Sequence, residues 1–382
     1  MNNSIHFPKE ITFSKVEEFL KDINTKEINE LSIVKNLGNY KFSMLPIILQ
    51  MISTLYIKNK HIKVVINEIG DDDLIRFSKN LVYLSTVMRS NLLVDRQEKE
   101  YQKQYITYAK EYLDSMKDIN RISQTYKGIG VSFICFDWSN QYSYIDTLYN
   151  FDKLITKEEF KKFIAPEIFS NSMSKANSWQ SLKEDIKNDF ASILYELFEN
   201  TELHARDNSP LIKSMRGFLV KELLLNKNEI LDKYDEIKEY LVQIETFKNE
   251  NSKYISESLN LLEMTIFDNG KGLAKSISKT DNFSFEEELK LVTKCFNKHV
   301  TSTENESRGV GLYEVMEMIV KYKGLFILRT GRTHLIIDYK QIEISGSQIN
   351  FKNIIKKEYQ PIIGTSYTII LPLLIQKDSL NA

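Results

Sequence analysis

Glu196, Asn200 and His204 stand four residues apart, and in a helix that spacing puts all three on one face. A carboxylate one turn from an amide suits a metal-bound phosphate and the water that attacks it. The amide oxygen is a hard ligand for magnesium, and the carboxylate accepts a proton. The same stretch specifies the helix that would carry them: Ile186, Phe190, Ile193, Leu194, Leu197 and Phe198 recur at helical spacing and form an apolar stripe. Taken alone, the polar face also fits a solvated surface, where Glu and Asn usually lie.

Three further segments carry phosphate- or base-binding chemistry. Asp268-Asn-Gly270-Lys-Gly272 leaves the run Leu262-Glu-Met-Thr-Ile-Phe267, which reads as a strand. Its glycines let another group come close to the backbone, while a plain turn is the alternative role for Asp268. Arg308-Gly309-Val310-Gly311-Leu312 runs into Val315, Met316, Ile319 and Val320 at helical spacing. Glycine amides at a helix N-terminus form an anion site through free N–H groups and the helix dipole, and Arg308 adds charge. The small, polar residues 301–307 before it have the composition of a mobile loop, with an ordinary linker as the alternative. Gly364-Thr365 leads into Tyr367-Thr-Ile-Ile-Leu371-Pro372, an apolar strand with a proline stop. Upstream, Leu325-Phe-Ile-Leu-Arg329 and Thr333-His-Leu-Ile-Ile337 flank Thr330-Gly331-Arg332 as a β-hairpin.

In order and chemistry the four segments resemble the GHKL, or Bergerat-fold, ATPases: the group of DNA gyrase, MutL, heat-shock chaperones and histidine kinases. The likeness spans roughly residues 180–375. It implies an α/β fold in which residues 176–382 form a two-layer α/β sandwich, a mixed sheet with helices on one face. It also implies ATP and magnesium as cofactors. Glu196 is then the catalytic base and Asn200 the magnesium ligand, and Asp268 accepts a hydrogen bond from the adenine amino group. His204, Gly270, Gly272, Arg308, Gly309, Val310, Gly311, Leu312 and Thr365 complete the nucleotide site, with 301–307 as a lid. A homodimer, or a partner protein, that responds to the nucleotide follows from the same likeness.

The chain departs from that pattern in two places. The connection from His204 to Asp268 is long, and is expected as an insertion near 210–255 whose charged helix, 229–241, packs on the domain edge. The transducer that supplies a catalytic lysine in gyrase and MutL has no room after Leu371, so slow hydrolysis or completion by a partner is expected. An ATPase whose nucleotide state switches conformation or dimerisation is the leading function. The alternatives are a protein kinase of the anti-sigma serine type and an ATP sensor without chemistry. A dimerising helix with a phosphoacceptor His followed by Glu or Asp is not found before residue 180, which weighs against a histidine kinase. The ending Thr201-Glu-Leu-His204-Ala205 is nevertheless similar to the bacterial kinase-like branch.

Residues 1–175 read as a smaller α/β unit. Leu31-Ser-Ile-Val34, His61-Ile-Lys-Val-Val-Ile66 and Val131-Ser-Phe-Ile-Cys-Phe136 are expected strands, and Pro46, Ile47, Ile48, Met51, Ile52 and Leu55 mark a helix. The element order is similar to a STAS domain. Tyr101, Tyr105, Tyr108 and Tyr112 form an aromatic stripe on one helix over 95–125, expected to pack rather than to stack on nucleic acid. The small, polar stretch 171–181 is the expected boundary.

Bulk properties set outer limits. With 382 residues the chain exceeds what one core usually serves, and 42% hydrophobic residues suffice to bury two. A net charge of −1 gives no electrostatic case for nucleic acid. Cys135 and Cys295 lack metal-type spacing and are expected as free, buried thiols in a reducing cytoplasm. The first residues lack a signal sequence, and the apolar stretch 44–57 is too short to span a bilayer.

Overall fold

A computed structural model describes residues 3–37, 40, 42–59, 61–126, 128–173, 179, 182–206, 213–226, 235–250, 258–278, 280–300 and 311–373. The chain is mixed α/β with two main sheets. The first is parallel, in the order β1 (Ser4–His6), β2 (Glu30–Ile33), β3 (Lys63–Ile66), β4 (Leu92–Asp95). Helices α1 (Phe13–Thr25) and α2 (Met44–Lys58), then the pair α3 (Asp71–Ser78) and α4 (Leu81–Val87), connect these strands. Sequential order with right-handed crossovers puts connecting helices on one face, consistent with the packing of α1 on α2 and of α2 on α4.

The helix expected over 95–125 is shorter. The backbone of 92–95 is strand β4; α5 (Gln102–Asp114) then gives way to 3-10 turns at Ser115–Lys117 and Ile119–Gln124. The second turn opens with the Asp118 side chain accepting a hydrogen bond from the Asn120 amide at 2.9 Å, a local bond that competes with helix continuation. Tyr105 and Tyr112 are buried, so the aromatic stripe packs into the core as expected.

The second sheet draws on most of the remaining chain. Strand β5 (Gly130–Phe136) is followed by a small hairpin, β6 (Tyr149–Asn150) and β7 (Lys153–Leu154). Helix α6 (Lys157–Glu159) continues through a π-turn (Phe160–Ile164) into α7 (Ala165–Ser172). Then come α8 (Glu184–His204), β8 (Met215–Leu225), α9 (Lys238–Glu250), β9 (Leu259–Asp268), α10 (Leu273–Ile277), α11 (Phe285–Lys294) and α12 (Gly311–Lys321). Strands β10 (Leu325–Gly331) and β11 (Thr333–Asp338), the hairpin β12 (Ile342–Ser345) and β13 (Gln348–Phe351), and β14 (Ile362–Pro372) close the chain. The sheet order is β11–β10–β14–β9–β8–β5.

Three expectations are corrected here. The sheet is antiparallel at every pairing, not mixed. Strand β5, expected in the N-terminal unit, pairs with β8 along its whole length as an edge of this sheet. The stretch expected as an insertion contains β8 itself, an interior strand, because Phe218, Leu219, Val220, Leu223 and Leu225 are needed in the core.

The sheet is also covered on both faces rather than one. On one face Phe218 meets Phe198 of α8 edge-on, with centroids 5.3 Å apart. On the other, Leu259, Leu261, Leu325, Ile327 and Ile370 pack with Tyr240, Leu241 and Ile244, so α9, which begins at Lys238, lies over the sheet and not at a domain edge; residues 229–234 of the helix expected over 229–241 lie outside the described residues. Helix α2 covers the rest of that face. Its Gln50 accepts a hydrogen bond from Ser366 Oγ at 2.8 Å and donates to the Arg329 carbonyl at 3.2 Å. The sequence of α2 is apolar nearly all round, as a helix buried on all sides requires. No described helix is long and apolar enough to cross a membrane.

Candidate functional site

Three of the four sequence segments meet where β9 and β14 lie side by side. Asp268 ends β9, and its Oδ1 accepts hydrogen bonds from the Gly270 amide at 2.8 Å and the Thr365 amide at 3.2 Å. Oδ2 has no hydrogen-bond partner among the described residues. Gly364 makes this possible. Its φ is +76°, in the left-handed region, and a Cβ there would stand 1.9 Å from the Asp268 carbonyl oxygen. Gly364→Ala should therefore destabilise the fold by more than about 1 kcal/mol, and a thermal melt measures it. A midpoint unchanged from wild type would contradict this packing of β14 on the Asp268 loop.

Thr330 of β10 seals the cluster. Its hydroxyl accepts from the Leu273 amide at 3.1 Å, donates to the Gly364 carbonyl at 3.2 Å, and lies 3.4 Å from the Thr365 hydroxyl. Gly272 packs against that Thr330 hydroxyl. Gly270 lies on the first residue beyond α8, where a Cβ would come within 2.6 Å of Ala205 Cα. The last turn of α8, with half-buried His204, thus abuts the Asp268 loop.

Burial pushes the Asp268 carboxyl up to about 7, although the Gly270 and Thr365 amides and the nearby Arg216 guanidinium pull it down. Strongly raised carboxyls cluster at functional sites, although structural networks also produce them. Its neighbour Asn269 is buried with both amide atoms unpartnered among the described residues, which is unusual for a folded protein.

Glu196 lies where α8 meets α12, and Asn200 follows one turn along the same face of α8. Glu196 Oε2 lies against Gly311, where a Cβ would come within 2.7 Å of it, so the helix base and the start of α12 are adjacent. Glu196 precedes Ala205 by nine residues, about 13 Å along the helix, which sets the spacing between the two ends of the site. Asn200 is half-buried between them. Leu312 is half-buried and packs on the core. Arg308, Gly309, Val310 and the 301–307 segment lie outside the described residues.

Two groups were not singled out from sequence. Lys157 donates to Glu196 Oε1 at 2.6 Å and lies 3.8 Å from Glu314. Thr156-Lys-Glu-Glu159 is a capping box, with Thr156 and Glu159 bonding each other's backbone, and it fixes Lys157 in the first turn of α6. Partial burial pulls the lysine down, but the Glu196 hydrogen bond and the charges of Glu196, Glu314 and Glu199 outweigh it and hold it above the ordinary range. The capping box was legible; the carboxylate that Lys157 finds, 39 residues away, was not.

The second group is Arg216, fully buried and directly opposite Asp268 in the β8–β9 register. It bonds Asp137 at 3.0 Å, Glu202 at 2.9 Å and the Tyr149 hydroxyl at 2.6 Å. This network ties the last turn of α8 to the ends of β5 and β8 and so fixes the helix against the Asp268 loop.

No protein-family model, curated protein or solved structure matches this chain. Cys135 and Cys295 are free and buried, and burial pushes both thiols up to about 12, away from reactivity. His334 is buried and stacked on Phe13, with burial holding it neutral down to about 3, so it is structural. Among the described residues, no group of three or more His, Cys, Asp or Glu side chains could hold a metal unaided. The donors beside the Glu196 face, a carboxylate and an amide oxygen, are hard oxygen ligands and fit magnesium that arrives with a polyphosphate.

Proposed function

We propose that the protein binds ATP with magnesium, hydrolyses it, and uses the nucleotide state to switch conformation or association. The carrying observation is the Asp268 cluster: a buried carboxyl with one oxygen fixed by the Gly270 and Thr365 amides and the other without a partner among the described residues. In this reading Oδ2 accepts the adenine amino hydrogen bond. Asn200 would hold magnesium through its amide oxygen, and the metal would supply charge to offset a triphosphate. Glu196 accepts the proton of the attacking water, and the start of α12 at Gly311 faces the phosphates. Lys157 holds one oxygen of Glu196, which fixes the direction of the other.

Radiolabelled ATP and magnesium, given to the pure protein with and without cell lysate, test the reaction class. Free phosphate is the expected product. Label on a protein would instead mark a kinase, and the absence of both products would leave only a sensor.

Asn200→Ala should weaken ATP binding mainly when magnesium is present. Titrations with magnesium and with a chelator compare the two conditions. An equal loss in both would mean that Asn200 acts on the helix and not on the ion.

A further inference from the structure

A cavity lies on the far side of the Gly272–Thr330 wall from Asp268. It has a volume of about 390 Å³ and forms where the last turn of α2 meets α10, the start of α11 and the tip of the β10–β11 hairpin. That volume is in the range of small-molecule sites, roughly 300–1,000 Å³. Asp268, Glu196 and Asn200 are absent from its lining; Gly272 and Thr330, which form the wall between the two, border both sites.

Its lining has a consistent chemistry. Ile57, Ala274, Phe283, Pro361, Ile362 and Ile363 make an apolar interior. The charged groups are Lys58, Lys271, Lys275 and Arg332 against Asp281 and Glu288. Arg332 and Glu288 cancel, because the buried Glu288 carboxylate accepts from the Arg332 amide at 2.6 Å and from its Nε at 2.8 Å. Arg332 is further engaged by Glu358 and the Phe283 carbonyl. Three lysines then face one exposed aspartate. Lys58 has only the neutral Asn24 as a hydrogen-bond partner, and Lys271 and Lys275 make no ion pair among the described residues. Isolated exposed lysines would mean little; here they rim a half-open, partly apolar cavity assembled from separate parts of the chain.

We propose that this cavity binds a small organic anion: an apolar or aromatic body against Ile57, Phe283 and Pro361, with its acidic group among Lys58, Lys271 and Lys275. The proposal does not depend on what the Asp268 cluster binds.

Naphthalene-1-acetate and its neutral amide form a matched pair of probes. Each is titrated into the nucleotide-free full-length chain and followed by calorimetry. The acid is expected to bind at least roughly tenfold tighter than the amide, because only the acid carries a charge that the three lysines attract. Lys58→Glu with Lys275→Glu, both on exposed side chains, should cost the acid roughly tenfold or more while leaving the melting temperature near wild type. Asp281→Asn should bind the acid as well as wild type or better. A non-hydrolysable ATP analogue in excess should not displace it. Equal binding of acid and amide, no binding of either, indifference to the two lysine reversals, or displacement by the analogue would each overturn the proposal.

Discussion

Asp268→Asn should make the nucleotide-free protein more stable above neutral pH and at the same time strip away most of its response to ATP. The carboxyl ordinarily titrates at 3.8 and is pushed up to about 7 in the fold. Below the lower value both folded and unfolded chains hold the proton, and the group is neutral to stability. Between the two values the unfolded chain gives up its proton while the folded chain keeps it, so stability falls as pH rises. Above about pH 7 the penalty is constant, at most about 4 kcal/mol. Asparagine keeps an oxygen for the Gly270 and Thr365 amides and removes the ionisation. The gain in melting temperature should thus be near zero at roughly pH 4 and largest at roughly pH 8.

The same substitution replaces a charged acceptor with a neutral amide. A hydrogen bond to a charged group contributes about 1.5–3 kcal/mol, so ATP affinity should fall about ten- to a hundredfold or more. In wild type, ATP affinity should weaken as pH falls through about 7, because protonation removes the acceptor. Melting curves across this range, with and without ATP, read both effects. A variant that gains no stability and keeps its full ATP response would mean that Asp268 is a turn residue and nothing more.

Glu196→Gln should leave ATP binding close to wild type and lower turnover by about 10²- to 10⁴-fold, the usual contribution of a general base. Its position supports the split between binding and chemistry. Glu196 is part-exposed, paired with Lys157, and stands at the α12 end of the site, away from the Asp268 loop. Affinity and phosphate release measured on one preparation decide the matter. Unchanged turnover would remove Glu196 from the chemistry. Lost binding with intact folding would move it to the recognition of the triphosphate.

Local signals were well preserved. The stripe from Ile186 to Phe198 gave α8, the apolar run before Asp268 gave β9, and the residues around Thr330-Gly331-Arg332 gave the β10–β11 hairpin. The polar groups brought to the Asp268 loop were legible for the same reason, since each sits at the end of an element with strong periodicity. Long-range choices were not legible. Nothing in Val131-Ser-Phe-Ile-Cys-Phe136 says that its partner is β8 rather than β4, and an apolar strand fits either sheet. The all-round apolar character of α2 says that it is buried but not that it lies between two sheets. The charged run after β8 announced a helix but not its place, since Tyr240, Leu241 and Ile244 of α9 cover the second face. Lys157 and Arg216 find their carboxylates at separations no local pattern encodes.

The most direct measurement of the central claim is a calorimetric titration of the wild-type protein with ATP and with GTP, each with magnesium. Adenine offers an amino hydrogen to the Asp268 carboxylate where guanine presents a carbonyl, and two acceptors face to face repel. The account predicts that ATP binds and that GTP binds at least about tenfold more weakly. Equal affinity for the two nucleotides, or no binding of either, would contradict it.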